Sequence, residues 1–260
     1  MKLKRIVGSF LATLTVCLFL QGQPVQAEED TTPYNWYFKK NDSHEQPPLD
    51  SCLEFIKKQD GYYLDEGCKE KVIYLTFDAG YENGNVEKIL DTLKAEKVPA
   101  AFFLLDNIIL KNTDLVLRMV DEGHLVCNHT KNHKNLSSAD EEEIRRNLTA
   151  LEKIYEEKTG REMSKYFRFP EGSYSIEALK SIERLGYKTV FWSFAYEDWD
   201  NNRQLSRDKA IRKIIDGTHN GAVMLFHPTS STNADIMPEL ISRWRDMGYR
   251  FGTLDQLTEK

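Results

Sequence analysis

Val72-Ile73-Tyr74-Leu75-Thr76-Phe77, followed at once by Asp78-Ala79-Gly80, is the stretch on which the fold turns. Six apolar or β-branched residues in a row, closed by a carboxylate and a glycine, read as a short buried strand. The next apolar residues, Val86, Ile89, Leu90 and Leu93, recur at helical spacing within residues 86–97. A strand has handed over to a helix. The same alternation then repeats along the chain. Strands are expected at residues 100–105, 125–127, 166–168, 189–192, 222–226 and from 250. Helices are expected at residues 115–122, 138–158, 176–185, 206–216 and 236–247. Ser138 is the expected N-cap of the longest helix, with Gly123, Gly160 and Gly186 as stops. Seven βα units running one way imply a parallel sheet. No glycine-rich phosphate turn follows the first strand, so an α/β barrel suits the count better than an open dinucleotide-binding sheet.

The 260 residues show no excess of glycine, proline or charge that would point to disorder or a coiled coil. Ahead of the first strand lie two segments of other character. Residues 1–27 begin with the basic Met1-Lys2-Leu3-Lys4-Arg5, continue through an uncharged apolar run from Ile6 to Leu20, and end in Val25-Gln26-Ala27. This is the pattern of a cleaved signal peptide, too short in its apolar part for a stable membrane span. Its removal takes away three bases and no acid, shifting the formal charge from −6 to −9. So acidic a surface argues against nucleic acid as a partner. Residues 28–70, with Tyr34-Asn35-Trp36-Tyr37-Phe38, read as an arm that packs by its aromatics onto the domain at 71–260. Export permits a disulfide between Cys52 and Cys68; with Cys127 as an odd third, three free thiols are the competing reading.

Chemistry in a parallel barrel gathers at the carboxyl ends of the strands. There the sequence sets Asp78, His129, His133, Arg168 with Pro170, Asp198 with Trp199, and Leu225 with His227. His129 and His133, four apart, would share the face of a helical turn and could grip one divalent ion; two exposed helix histidines is the plainer alternative. Asp78 reads either as a cap for the next helix or as a general base for a water activated by that ion. Arg168 would hold Asp78 ionised, or be a surface ion-pair residue. His227 is a satisfied core histidine or, kept protonated by Asp198, a general acid. Trp199 reads as core or as a sugar-stacking face, and Leu225 as core or as the wall of an acyl pocket.

In this order the motifs resemble the polysaccharide deacetylases of carbohydrate esterase family 4, the NodB homology domain. Thr76-Phe77-Asp78-Ala79-Gly80 is similar to T-F-D-D-G, and His129-Thr130-Lys131-Asn132-His133 to H-S/T-x-x-H. Arg168-Phe169-Pro170, Asp198-Trp199 and Leu225-Phe226-His227 are similar to R-x-P, D-W and L-x-H. The resemblance runs from Lys71 to Leu257 and implies a distorted (β/α) barrel of about seven parallel strands. It also implies Asp78 as base, Arg168 as its partner, Asp198 as tuner of His227, and His227 as acid. His129 and His133 would be ligands of a divalent metal, zinc. Leu225, Trp199, Tyr81 and Pro170 would contact substrate. Ala79 stands where the family has a ligating aspartate, so the metal should be weakly bound.

Thr76 to Gly84, Asn35 to Lys39 and Phe191 to Trp199 further resemble the delta-lactam-biosynthetic de-N-acetylases of spore-forming bacteria, in which that aspartate is also replaced. This resemblance implies deacetylation of N-acetylmuramic acid in peptidoglycan glycan strands, a step toward muramic δ-lactam in spore cortex. It places a monomer in the cell wall or the forespore intermembrane space.

Overall fold

The computed structural model describes residues 30–40 and 43–259; the expected signal peptide lies outside the described residues. The arm carries β1 (Tyr34–Asn35), α1 (Phe55–Lys58) and β2 (Gly61–Tyr62). The alternating part runs β3 (Val72–Ala79), α2 (Asn85–Glu96), β4 (Ala101–Leu104), α3 (Asp106–Lys111), α4 (Thr113–Asp121) and β5 (Leu125–Asn128). It continues with α5 (Glu141–Thr159), β6 (Ser164–Phe167), β7 (Ser173–Tyr174), α6 (Ile176–Arg184) and β8 (Lys188–Val190). The last elements are α7 (Arg207–Asp216), β9 (Ala222–Phe226), α8 (Ser231–Asp246), β10 (Arg250–Phe251) and α9 (Leu254–Thr258).

All seven expected strands are present, and they pair in parallel. β3 pairs with β4 and β9, β10 joins the start of β3, and β5, β6 and β8 follow β4 in order. The sheet curls until the segment after β8 meets β9, where Phe194 and Met224 form a parallel bridge. Below that bridge the arm contributes an eighth strand. β2 pairs in parallel with β8, and Leu64 bridges Ala222. The result is the NodB-type distorted barrel with helices around it. No helix among the described residues is long and apolar enough to cross a membrane.

Two-residue alternation along the strands decides what faces the barrel interior. Ile73, Leu75, Phe77 and Ala79 join Phe102, Leu104, Met224 and Phe226 in the outer cluster beneath α2 and α8. Val72 and Tyr74 join Ala101, Phe103, Cys127, Tyr166, Val190 and Val223 in the inner cluster. Extending the inner series upward by twos reaches Thr76 and Asp78 on β3, His129 beyond β5, Arg168 beyond β6, and Leu225 and His227 on and beyond β9.

Of the expected helices, α5 and α8 depart most in where they start. α5 is capped by Asp140, whose carboxylate accepts the Glu143 N–H at 2.7 Å, and not by Ser138. Asp140 directly precedes three glutamates that suit the positive end of the helix. α8 starts five residues earlier than its apolar spacing indicates, because the Ser230 hydroxyl accepts the Asn233 N–H at 3.0 Å. All three described cysteines are free thiols: Cys52 exposed, Cys68 half-buried and Cys127 buried.

Candidate active site

Arg168 is fully buried at the centre of the upper layer. Its Nε donates to the Val190 carbonyl at 2.9 Å, and Nη2 to Thr76 Oγ1 at 2.9 Å and to the Phe191 carbonyl at 3.2 Å. Its remaining contact is an ion pair: Nη1 donates to Asp78 Oδ1 at 2.7 Å. The guanidinium plane lies over the Phe103 ring, 4.2 Å from its centroid. The surface ion-pair alternative for Arg168 is therefore wrong, since an exposed arginine could not be held by four fixed acceptors.

Asp78 thus has one oxygen committed to Arg168, while the other, Oδ2, lies 3.5 Å from His129 Nε2. Burial alone would raise its pKa, but Arg168, His129 and His227 hold the carboxyl below the ordinary carboxylate range. It is ionised at neutral pH. His129 is oriented from behind, because its Nδ1 contacts the Arg168 carbonyl at 2.9 Å. A carbonyl only accepts, so Nδ1 carries the proton and Nε2 presents its lone pair toward Asp78. Burial, opposed by Asp78, lowers the His129 pKa to about 4, keeping the ring neutral.

His133 meets His129 edge-on, with ring centroids 5.1 Å apart. The expected helical turn is absent. Residues 129–133 form a loop in which Thr130 and His133 take left-handed φ of 69° and 60°. Three hydrogen bonds hold that shape. Asn128 Oδ1 accepts the Thr130 N–H and Asn147 Oδ1 the Lys131 N–H, both at 2.9 Å. Thr130 Oγ1 accepts the Lys134 N–H at 3.0 Å. Two imidazoles beside a carboxylate suit a divalent cation. They do not make a closed cage: no group of three or more His, Cys, Asp or Glu among the described residues is arranged to hold a metal. Ala79 offers only a methyl, and it points into the outer cluster with Phe77.

His227 forms the opposite wall with Asp198. Its Nδ1 donates to Asp198 Oδ1 at 2.7 Å, and its backbone N–H to Asp198 Oδ2 at 2.8 Å. Burial lowers the His227 pKa, yet Asp198 and then Asp78 outweigh burial and raise it above the ordinary imidazole value. Leu225 is buried one inward step below His227, and Pro170 is buried beyond Arg168. Trp199 and Tyr81 are the exposed ones, at 61% and 44%. Their loops are tied together, since Asn201 Nδ2 donates to the Tyr81 hydroxyl at 2.6 Å. The core alternative for Trp199 does not hold.

Sequence reasoning missed the residues that support these. Thr76 is in the first motif, but its role in seating Arg168 shows only in three dimensions. Tyr196, Gln204 and Asn233 surround Asp198, and nothing in their spacing announces it.

A polysaccharide deacetylase family model matches residues 65–190. The peptidoglycan-N-acetylmuramic acid deacetylase PdaA of Bacillus subtilis is 38% identical over 242 residues, which cover 92% of each chain. A solved structure of Bacillus subtilis PdaA, a family 4 carbohydrate esterase, superposes with a TM-score of 0.83, covering 87% of this chain and 97% of that one. A family 4 carbohydrate esterase from Bacillus anthracis gives a TM-score of 0.73 at 36% identity, over 88% and 97% of the two chains. The peptidoglycan-N-acetylglucosamine deacetylase PgdA of Listeria monocytogenes is 30% identical over 191 residues, 72% of this chain and 39% of that protein. With this barrel, these strand-end residues and that identity over nearly its whole length, the chain belongs to the polysaccharide deacetylase family.

Proposed function

We propose that the chain hydrolyses the acetamide of N-acetylmuramic acid in peptidoglycan, outside the cytoplasmic membrane, as a step toward muramic δ-lactam in spore cortex. The observation that carries this reading is the division of labour at Asp78: Oδ1 is anchored by buried Arg168, and Oδ2 is left 3.5 Å from His129 Nε2. Asp78 Oδ2 takes a proton from the attacking water, whose oxygen bonds to the acetamide carbon. His227, with Nδ1 committed to Asp198, uses Nε2 to protonate the nitrogen as the C–N bond breaks. Acetate and a free amino sugar leave.

His129 and His133 would hold a divalent cation, zinc in this proposal, which when bound supplies polarisation of the acetamide carbonyl. The methyl of Ala79 adds no ligand, so affinity is expected to be low. Leu225 would border the acetyl methyl, and Pro170, Tyr81 and Trp199 the sugar. The preference for the muramoyl sugar is supported by the degree of likeness. Identity to PdaA is 38% over 92% of the chain, whereas N-acetylglucosamine deacetylases reach 30% over 72% and 28% over 96% of it.

The test is acetate release from glycan strands containing N-acetylmuramic acid, set beside release from N-acetylglucosamine polymers. Release from the first and a loss of about 10²–10⁴-fold in Asp78→Asn are expected. Wild-type rates in Asp78→Asn would remove Asp78 from the chemistry; release only from glucosaminyl polymers would reassign the sugar.

A further inference from the structure

We infer that Asn233, oriented by Tyr196, is a positioning residue that locks the Asp198 carboxylate against His227. The inference rests on the reading of His227 as the acid. Asn233 lies in the first turn of α8 and is fully buried, six residues after the histidine it serves. Its Nδ2 donates to Asp198 Oδ2 at 2.6 Å and to the His227 carbonyl at 3.2 Å. Both amide hydrogens are therefore spent on the Asp198–His227 unit. Asp198 Oδ2 in turn has two donors, Asn233 Nδ2 and the His227 backbone N–H, which leave Oδ1 turned toward His227 Nδ1.

The amide could in principle sit the other way round, with its oxygen against the carboxylate. Tyr196 prevents that. Its hydroxyl donates to Asn233 Oδ1. Burial, and after it the charge of Asp198, raise the Tyr196 pKa, so the phenol keeps its proton. A proton-bearing hydroxyl on one end of the amide and a carboxylate on the other select one orientation. The peptide around the aspartate is fixed as well: Gln204 Nε2 donates to the Asp198 carbonyl at 2.9 Å and to the Asp200 carbonyl at 2.8 Å. Ser230 joins this scaffold by donating to Gln204 Oε1 while accepting the Asn233 N–H. A metal-free histidine is here treated as metal-ligand histidines are, with an outer partner that fixes its orienting carboxylate.

Without the Asn233 amide, Asp198 Oδ2 keeps one anchor, and water can enter the space left. Water screens the carboxylate from the imidazolium, so His227 loses its proton at lower pH. The charged groups facing His227 are Asp198, Asp78 and Arg168, and none of them changes in this variant.

The experiment measures kcat, KM and the pH profile of acetate release for Asn233→Ala, Tyr196→Phe, Asp198→Asn and the double variant Asp198→Asn/Asn233→Ala, on the full chain. Asn233→Ala is expected to lower kcat about 10-fold or more at unchanged KM, and to move the basic limb of the profile to lower pH. Tyr196→Phe, which opens no large cavity, should show a smaller change in the same direction, and it carries the test if Asn233→Ala does not fold. In the Asp198→Asn background the alanine should have no further effect on kcat, because the unit it serves is already broken. Wild-type kcat and pH profile in folded Asn233→Ala, or full additivity in the double variant, would overturn the inference. An Asp198→Asn protein with wild-type activity would instead refute the reading of His227 on which the inference stands, so the two failures are distinct.

Discussion

Neither ring nitrogen of His124 has a hydrogen-bond partner among the described residues, although the side chain is only 4% exposed and meets Phe102 edge-on at 5.5 Å. Burial lowers its pKa to about 4, and the histidine is held neutral. The sign of the consequence follows from linkage. Below the ordinary imidazole value of 6.5 the unfolded chain takes a proton that the folded chain refuses, so stability falls from pH 6.5 down to about 4. His129 and His219 are lowered by burial as well and act in the same direction. His124→Leu is expected to stabilise the fold by ~2 kcal/mol at pH 5 and far less at pH 8. Urea unfolding at the two pH values measures it; an equal gain at both would mean that packing, and not protonation, is responsible. Chain order alone separates this histidine from His129: both adjoin the same strand, but His124 precedes it and His129 follows it. What distinguishes them is which end of β5 they occupy, because one end opens on the mouth and the other on the outer core.

Elements differ in how much of their geometry is written in local pattern. β3, β4 and β9 were legible because each buries both faces and leaves an apolar run; β5, β6 and β8 show shorter apolar stretches at their carboxyl ends. β2 was not legible, since two residues, Gly61–Tyr62, are too few to show any period. The loop after β5 was misread as a helical turn for a related reason: four-residue spacing suits a helix, while the left-handed φ of Thr130 and His133 depends on distant partners. Non-glycine residues held there cost of order 1–3 kcal/mol each, which the surrounding hydrogen bonds must offset. Asn147 of α5 supplies one of those bonds, to the Lys131 N–H. Asn147→Ala is therefore expected to loosen the pair of imidazoles and weaken divalent-cation binding about 3- to 10-fold, in line with a hydrogen bond of ~1 kcal/mol. Calorimetric titration with Zn²⁺ reads this directly; unchanged affinity would show that the loop holds its shape without α5.

At the level of the whole molecule, the barrel is incomplete without its arm. The Thr189 N–H donates to the Asp60 carbonyl at 3.0 Å, the Phe191 N–H to the Tyr62 carbonyl at 2.7 Å, and the Asp65 N–H to the Gly221 carbonyl at 2.8 Å. These bonds pair the edge of β8 and reach the loop before β9. Higher up, Trp36 stacks on Phe191 at 4.6 Å and donates from Nε1 to the Trp192 carbonyl at 2.9 Å. Its backbone N–H donates to the Gly172 carbonyl at 2.8 Å, and a side chain at Gly172 would collide with Trp36 and Trp192. The arm thus braces the loop that follows Arg168, and through Phe191, whose carbonyl accepts from Arg168, it reaches the guanidinium itself. Stability and activity should therefore fail together. Trp36→Ala is expected to lose ~3–5 kcal/mol of stability, as large-to-small core changes do. A chain starting at Lys71 would expose unpaired strand edges and the aromatic cluster around Phe191, and it should not reach a cooperative native state. Thermal unfolding followed by near-ultraviolet circular dichroism decides the matter. A sharp transition near the full chain's midpoint, with acetate release intact, would mean that the strands close the barrel alone and that the arm is an appendage.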